Sequence, residues 1–224
     1  MQTLRAALGS YAGAAQRHFR RRRMERFVRE LGIRPETRVL DIGGTLDIWQ
    51  LVSVQPRLVL LNMPRAKSEM AGAANWVAGD GRCLPFRDRA FDVVFSNSVI
   101  EHVGDVSSQE SFAREVSRVG RGFWVQTPNR WFPVEQHLMT PLVHWLPPSW
   151  RRAVVRRGTV WGVLVSASAN QREFYVEHFL RDIRLLGCQE IRVLFPDAAV
   201  IRERFLGITK SLIAMRPISE KGCG

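Results

Sequence analysis

The chain has 224 residues, which is enough for one well-buried domain with an elaboration and too few for two ordinary enzymes. Lysine and arginine number 33 against 21 acidic residues, so the formal net charge is +12. No apolar run approaches the roughly 18–20 residues that a membrane span requires, and the three cysteines form no Cys-x-x-Cys pair. We therefore expect neither a transmembrane protein nor a disulfide-stabilised or thiolate-zinc protein, and we expect the cytoplasm as its compartment.

The N-terminal region is rich in alanine and arginine and contains no acidic residue before Glu25. Apolar residues at helical spacing predict a basic amphipathic helix over Gln16–Leu31, with Gly32 ending it. We treat residues 1–31 as a basic N-terminal segment and 32–224 as one domain. The basic excess indicates an anionic partner such as a phospholipid surface or nucleic acid, while a genomic preference for arginine codons explains it equally well.

Short β-branched runs alternate with helical stretches from residue 37 onward. The predicted strands are Arg38–Ile42, Leu58–Asn62, Asn75–Ala78, Phe91–Asn97 and Gly122–Thr127. The predicted helices between them are Leu46–Val54, Arg65–Ala73 and Gln109–Val119. This alternation, with strands of nearly continuous apolar character, predicts a parallel sheet covered on both faces. Two more strands, Glu190–Phe195 and Thr209–Arg216, are predicted to form a hairpin whose last strand is antiparallel.

The connection after the fifth strand is far longer than the dozen or so residues that a crossover requires. We predict a helical insertion over approximately 130–170 and a crossover helix around Arg172–Leu186. Within the insertion, Trp145 and Trp150 flank two prolines, and four arginines follow. This combination is typical of a packed helical lid, of a helix lying on an anionic membrane, or, less favoured, of a nucleic-acid-binding surface.

Ligands of an open parallel sheet bind beyond the carboxyl ends of its strands, so the residues at strand ends are the candidates for a site. The first strand leads into Asp41, Ile42, Gly43 and Gly44, and the two glycines let the backbone approach a ligand closely. No glycine follows Gly44 until Gly72, so the Gly-x-Gly-x-x-Gly fingerprint of dinucleotide binding is absent.

Three segments in this order resemble the class I S-adenosylmethionine-dependent methyltransferases, in particular their small-molecule type 11 group. They are VLDIGGT at Val39–Thr45, GDGRCLPF at Gly79–Phe86 and FDVVFSNSVIEHV at Phe91–Val103. The resemblance implies a Rossmann-like α/β fold with a seven-stranded, mostly parallel sheet, an antiparallel last strand and helices on both faces. It also implies S-adenosylmethionine as cofactor and methyl transfer, which we expect to be directed to a small-molecule or lipid-linked acceptor.

Carried over to this sequence, the resemblance implies one set of cofactor contacts. The methionine end would be held by Asp41, Gly43 and Gly44, the ribose by Asn62, the adenine amino group by Asp80 with Gly81, and the sulfonium side by Asn97. Two features depart from the family pattern, because the glycine turn is shortened and Asn62 replaces an acidic residue. These departures leave open a non-catalytic scaffold that binds a membrane or RNA through its basic surface, or an RNA methyltransferase.

The candidate catalytic groups are Glu135, His137 and His102. Glu135 and His137 follow the fifth strand in a loop with two prolines, where either could deprotonate an acceptor or the loop could simply be held by its own hydrogen bonds. His102 follows Glu101 on a predicted helix, where neighbours point about 100° apart, so at most one of the two faces the pocket. A His and Glu two residues apart with no third ligand predict no metal site.

Overall fold

A seven-stranded sheet lies at the centre of this protein, whose computed structural model describes residues 2–64, 75–135, 139–157, 159 and 183–218. The strands of the sheet are β1 (Arg38–Ile42), β2 (Arg57–Asn62), β3 (Trp76–Ala78), β4 (Phe91–Asn97), β5 (Gly120–Pro128), β8 (Ala199–Phe205) and β9 (Ile208–Arg216). A separate antiparallel pair consists of β6 (Val134–Glu135) and β7 (Thr140–Pro141).

Five α-helices are described around the strands. They are α1 (Gln2–Leu31), α2 (Leu46–Trp49), α3 (Val106–Val119), α4 (Pro148–Arg157) and α5 (Cys188–Leu194). Two single 3-10 turns lie at Ile100–His102 and Val143–Trp145. In the described part of the chain, no helix combines the length and the apolar character that crossing a membrane requires.

The sheet has the strand order β3-β2-β1-β4-β5-β9-β8. The first five strands are parallel, and β9 lies antiparallel between β5 and β8. Strands β1 to β5 and β8 therefore all end at the same side of the sheet, which we call the carboxyl edge. This topology confirms the predicted Rossmann-like α/β fold with an antiparallel last strand.

Alternate residues of the central strands pack into two separate cores. On one face, Leu40 and Val94 pack with α3 and α5, and on the other, Val39 and Phe95 pack with α1 and α2. The second core is strongly aromatic, because Phe27 of α1 contacts Trp49, Phe95 and Trp124 edge-on at centroid distances of 4.8–5.9 Å. The helices on both faces agree with the prediction.

The prediction of a sixth strand at Glu190–Phe195 is wrong, because residues 190–194 belong to α5 and Phe195 follows its last residue. The Glu190 carboxylate accepts a hydrogen bond of 2.7 Å from the Gly187 N–H, which caps the helix, and Ile191 and Phe195 bury at helical spacing. The strand that pairs with β9 is β8, which was not predicted from the sequence. The predicted last strand and its antiparallel direction are therefore confirmed, whereas its predicted hairpin partner is wrong.

Other elements differ from the predictions at their ends. Helix α1 begins at Gln2 rather than Gln16, and α2 ends at Trp49 rather than Val54. The predicted helix Arg65–Ala73 lies outside the described residues, as does most of the crossover helix predicted over Arg172–Leu186. The helical insertion after the fifth strand is confirmed by α4.

Candidate functional site

A cavity of about 470 Å³ opens at the carboxyl edge, between the ends of β1, β2 and β3 and the segment after β4. Its lining comprises Ile42, Gly43, Leu61, Asn62, Met63, Gly79, Asp80, Gly81, Arg82, Val99, His102, Val103, Gly104 and Phe112. Six of the ten residues predicted for the site or its catalysis are therefore gathered by the fold into one space or directly against it: Gly43, Gly44, Asn62, Asp80, Gly81 and His102.

The glycine turn after β1 leaves no room for larger residues. Gly43 has φ +75°, and a Cβ there would overlap Val99. At Gly44, a Cβ would overlap the carboxylate of Asp41. The turn therefore depends on both glycines, the first for its left-handed backbone and contact with Val99, the second for the space that Asp41 occupies.

Asp41 does not line the cavity but lies buried against the turn. Its Oδ2 accepts a hydrogen bond of 2.8 Å from the indole N–H of Trp49, whereas Oδ1 has no hydrogen-bond partner among the described residues. Burial raises the pKa of Asp41 from 3.8 to about 7, although the Trp49 hydrogen bond acts in the opposite direction. The structure thus places the predicted methionine-end carboxylate beneath the turn, on the side of the α1 core.

Asn62 connects the end of β2 to the glycine turn. Its amide nitrogen donates a hydrogen bond of 3.0 Å to the carbonyl of Gly44, and the residue lines the cavity. The position predicted for ribose binding is therefore at the cavity wall, and its side chain also holds the turn in place.

Asp80 is paired with Arg82, a partner that was not predicted from the sequence. The guanidinium Nη2 lies 2.6 Å from Asp80 Oδ2, and the backbone N–H of Arg82 donates to Oδ1 at 2.9 Å. The Arg82 side-chain hydrogen bond, the largest cause, lowers the pKa of Asp80. Arg82 also donates to the carbonyl of Val103 at 3.3 Å, so it joins the end of β3 to the segment after β4.

Gly81 is required by packing at the base of the cavity. A Cβ at this position would lie 2.8 Å from the ring of Phe112 on α3, closer than real contacts allow. In residues 79–82, the backbone at Gly81 thus lies close to the core, and the Asp80–Arg82 salt bridge holds the side chains on either side of it. The only sequence signal for Arg82 was its position two residues after Asp80.

Glu101 and His102 point in different directions, as the helical geometry predicted. Glu101 is fully buried and accepts a hydrogen bond of 2.9 Å from the hydroxyl of Thr127 on β5. His102 is exposed and lines the cavity. Of this pair, His102 is the one placed to meet a ligand.

Asn97 lies in a polar cluster with Arg23 of α1 and is not part of the cavity lining. The buried guanidinium of Arg23 donates to Asn97 Oδ1 at 2.5 Å and to Gln126 Oε1 at 3.0 Å, and it forms a salt bridge of 2.6 Å with Glu203. The predicted basic run thus has two kinds of residues, because Arg20–Arg22 are exposed whereas Arg23 joins three strands at the carboxyl edge. Its burial was not predicted.

The proposed catalytic loop is described only in part. Glu135 is buried in β6, and His137 lies outside the described residues, so their pairing stays a prediction. His144, which was not singled out from the sequence, is half-buried with Nε2 3.0 Å from the carbonyl of Arg130. Burial is the largest cause that lowers the pKa of His144. Among the described residues, no group of three or more His, Cys, Asp or Glu side chains could hold a metal ion.

The cavity can bind a polar ligand with an apolar planar part. Asn62, Asp80, Arg82 and His102 offer donors and acceptors, while Leu61, Val99 and Phe112 offer apolar contact. A nucleoside has this combination of hydroxyls, amine and flat base.

Residues 36–122 match the family described as "Methyltransferase domain". The chain is also 28% identical over 118 residues to the biotin biosynthesis bifunctional protein BioHC of Cellvibrio japonicus (strain Ueda107). That match covers 46% of this chain and 24% of the relative, so the chain spans about a quarter of the relative's length.

Solved structures share the fold at low sequence identity. A complex between the Haloferax volcanii Trm112 methyltransferase activator and a protein assigned as a methyltransferase aligns with a TM-score of 0.55 at 12% identity, covering 98% of this chain and 97% of the other. A Rhodobacter sphaeroides protein described as a zinc-dependent alcohol dehydrogenase aligns with a TM-score of 0.54 at 11% identity, covering 82% and 84%. Because their names differ, these two likenesses support the fold and no specific reaction.

Proposed function

We propose that the chain is a class I S-adenosylmethionine-dependent methyltransferase that transfers the methyl group of S-adenosylmethionine to a small-molecule or lipid-linked acceptor. Its residues 36–122 match a methyltransferase domain. The observation that carries this proposal is the cavity at the carboxyl edge, which lies within the matched residues 36–122. The name of the relative involved in biotin biosynthesis gives further support to a small-molecule acceptor.

The cavity fits the cofactor in size and chemistry. Its volume of about 470 Å³ lies in the range of about 300–1,000 Å³ typical of small-molecule sites. The glycine turn allows the backbone to approach a ligand, and the buried Oδ1 of Asp41 lies against Gly44 without a hydrogen-bond partner among the described residues. Because this carboxylate is fully buried and does not line the cavity, it would act on a ligand through the position of the turn and not by direct contact.

Each wall of the cavity suggests a role for its residues. Asn62 would hold the ribose hydroxyls, and Asp80 with Gly81 would hold the adenine amino group. Arg82 would close the same end, because its guanidinium already spans from Asp80 to the Val103 carbonyl. Asp41 would act from beneath the glycine turn and not as a wall residue.

When bound, the cofactor supplies a methyl group activated by its sulfonium. The protein then contributes mainly by aligning the acceptor and excluding water, since no strong leaving-group activation is needed. Where the acceptor nucleophile carries a proton, His102 on the cavity wall or the loop with Glu135 and His137 would remove it.

A lipid-linked acceptor is supported by the segment that follows β5. The segment after β5 starts at the carboxyl edge and exposes Trp131 and Trp145, with 62% and 46% of their surface accessible. Both lie near Arg130, because the Trp145 indole donates to the Arg130 carbonyl at 2.9 Å and the Arg130 guanidinium lies 5.5 Å from the Trp131 ring centroid. The exposed tryptophans suit an acceptor with an apolar chain, while the Arg130 guanidinium is already paired with Glu190 at 3.1 Å.

A non-catalytic scaffold is the second candidate function. The observation that favours it is that Asp41 and Asp80 each bond to a neighbouring side chain, Trp49 and Arg82 respectively. In a scaffold these pairs would be structural, and the cavity would bind no cofactor.

Isothermal titration calorimetry with S-adenosylmethionine and S-adenosylhomocysteine separates the two candidates. We expect heat of binding for the wild type and an affinity about tenfold lower for Asp80→Asn, since a charge-assisted hydrogen bond contributes about 1.5–3 kcal/mol. Asp88→Asn is the matched control, because Asp88 also pairs with an arginine, Arg118 at 2.9 Å, and does not line the cavity. Absence of heat with wild-type protein would favour the scaffold.

A further inference from the structure

The β8–β9 hairpin ends in an apolar tip, Phe205–Ile208, at the carboxyl edge. Leu206 is 86% exposed, and Phe205 and Ile208 are 41% and 48% exposed. The register pairs Ser211 with both Pro128 and Glu203, so Glu203 is level with the end of β5. Leu206 lies three residues further along, which at about 3.3 Å per residue extends the tip about 10 Å beyond β5.

The backbone of this tip is unfavourable for the residue it carries. Leu206 and Gly207 have φ values of 48° and 82°, the left-handed conformation that two-residue hairpin turns reserve for Asn, Asp or Gly. Leucine at such a position costs stability, and its exposure means that packing within the chain does not compensate. An exposed apolar side chain in a strained turn therefore indicates contact with a partner outside the chain.

Exposed apolar side chains and a left-handed residue also occur next to the tip, in the described residues after β5, 129–135 and 139–157. Asn129 joins the two regions, because its backbone and side-chain N–H groups donate to the carbonyls of Lys210 and Thr209 at 3.0 and 2.8 Å. Leu142 in this segment is also left-handed, with φ 57°, and is 47% exposed. Three tryptophans are exposed here as well: Trp131, Trp145 and Trp150.

Most of the charges around these apolar groups are positive, although Arg130 pairs with Glu190 at 3.1 Å and Arg23 pairs with Glu203 at 2.6 Å. The segment 129–157 contains five arginines, and its one acidic residue, Glu135, is buried. On α1, Arg17 and the run Arg20–Arg22 are exposed. This part of α1 lies beside the tip, because the ring of Phe19 contacts that of Phe205 at a centroid distance of 5.7 Å.

We propose that these groups form a rim that docks onto an anionic phospholipid bilayer. The rim consists of the tip Phe205–Ile208, the exposed arginines of α1, and four exposed side chains after β5: Trp131, Leu142, Trp145 and Trp150. Protruding apolar side chains would enter the acyl boundary while arginines contact the headgroups. The exposed tryptophans of the rim would suit either a bilayer or the bases of a nucleic acid. The aliphatic Leu206, at 86% the most exposed apolar residue of the rim, offers no ring on which a base could stack, so a bilayer fits better. The test of docking does not require methyl transfer.

Vesicle co-sedimentation with the full chain tests the rim. Vesicles of phosphatidylcholine alone are compared with an equimolar mixture of phosphatidylcholine and phosphatidylglycerol. We expect binding to the anionic vesicles that weakens with added salt, and a decrease of about tenfold in the partition coefficient for Leu206→Asp. Val193→Asp is the matched control, since Val193 is 77% exposed on α5, outside the rim, and we expect its binding to stay within about twofold of the wild type.

Several outcomes would overturn the proposal. Equal losses for Leu206→Asp and Val193→Asp would remove the tip from any docking surface, and absence of vesicle binding would remove the bilayer. RNA binding without vesicle binding would assign the rim to nucleic acid instead. Self-association that Leu206→Asp abolishes, again without vesicle binding, would make the rim an interface between copies of the chain. Circular dichroism of both variants checks that they fold.

Discussion

In the cavity, polar side chains such as Asn62 and Asp80 already bond to the protein, whereas in the rim several apolar side chains are largely exposed. Asn62 holds the glycine turn and Asp80 holds Arg82, so ligand contacts in the cavity would start from a fixed arrangement. Leu206 and Leu142 instead stand exposed on left-handed backbone. At one edge of the same sheet, the cavity therefore has polar side chains that are bonded within the chain, and the rim has apolar side chains that are exposed to solvent.

The difference shows where each region obtains its stabilisation. The cavity is formed by strand ends and glycines, so contacts within the chain hold its shape before any ligand binds. The rim lowers the stability of the isolated chain, and the missing contacts would come from an external surface. The cavity should therefore be sensitive to small changes of volume or charge, and the rim should tolerate polar substitutions.

The largest effect expected on the cavity side is a dependence of stability on pH through Asp41. Its pKa is raised from 3.8 to about 7, so the folded state binds more protons than the unfolded state in that window. The free energy of unfolding contributed by this group therefore falls as the pH rises from about 4 to about 7 and is constant above. At about 1.4 kcal/mol per unit, the loss between pH 5 and pH 8 is about 3 kcal/mol.

Urea unfolding of the wild type and of Asp41→Asn at both pH values measures this loss. We expect Asp41→Asn to be more stable than the wild type at pH 8, with a smaller difference at pH 5. Asp47→Asn, at an exposed carboxylate of α2, is the control for a general loss of charge. A stability difference between wild type and Asp41→Asn that does not change with pH would show that Asp41 ionises in the fold as it does in water.

The next effect concerns the volume available at the glycine turn. A Cβ at Gly44 would overlap the Asp41 carboxylate, so we expect Gly44→Ala to lower the free energy of unfolding by about 2 kcal/mol and to weaken cofactor binding. Calorimetry and urea unfolding measure the two losses. Adding Asp41→Ala should recover part of the stability, because the overlapping carboxylate is then absent.

Gly32→Ala is the matched control for this substitution. Gly32 has φ +59°, and no atom lies within 4 Å of the position that a Cβ would take, so alanine there adds only the cost of the left-handed backbone, about 1 kcal/mol. We expect no effect on cofactor affinity. If Gly44→Ala were no more harmful than this control, the turn would be able to move and the tight fit at Asp41 would be wrong.

The fold was predictable where strands are buried on both faces. Strands β1 and β4 have the predicted bounds, because their apolar residues are nearly continuous. Strand β8 was missed, since the charged residues at 202–204 interrupt its apolar pattern at the edge of the sheet. Helix α5 was read as a strand because its β-branched residues hide the helical spacing, and the cap by Glu190 appears only in three dimensions.

The sequence indicated which residues lie at the carboxyl edge, but it gave little information on which neighbours their side chains contact. The rule that ligands bind beyond strand ends led to Gly43, Asn62 and Asp80, and these three residues line one cavity. It gave no indication of which neighbour each side chain meets. The salt bridge between Arg23 and Glu203 joins residues 180 positions apart, a separation across which local sequence patterns carry no information.

The smallest effect tests whether the rim is built at the expense of stability. Replacing Leu206 by Asn, which tolerates φ 48° better, should raise the free energy of unfolding by about 0.5–1 kcal/mol while lowering vesicle binding. Ile208→Asn is the control, because it removes an apolar group of the tip without relieving a left-handed residue, so it should lower vesicle binding with no gain of stability. Thermal unfolding and co-sedimentation on the same samples give both quantities. A gain in stability with unchanged vesicle binding would mean that the strain at Leu206 has no part in docking, whereas the opposite changes in the two quantities would tie the strained turn directly to the external surface it contacts.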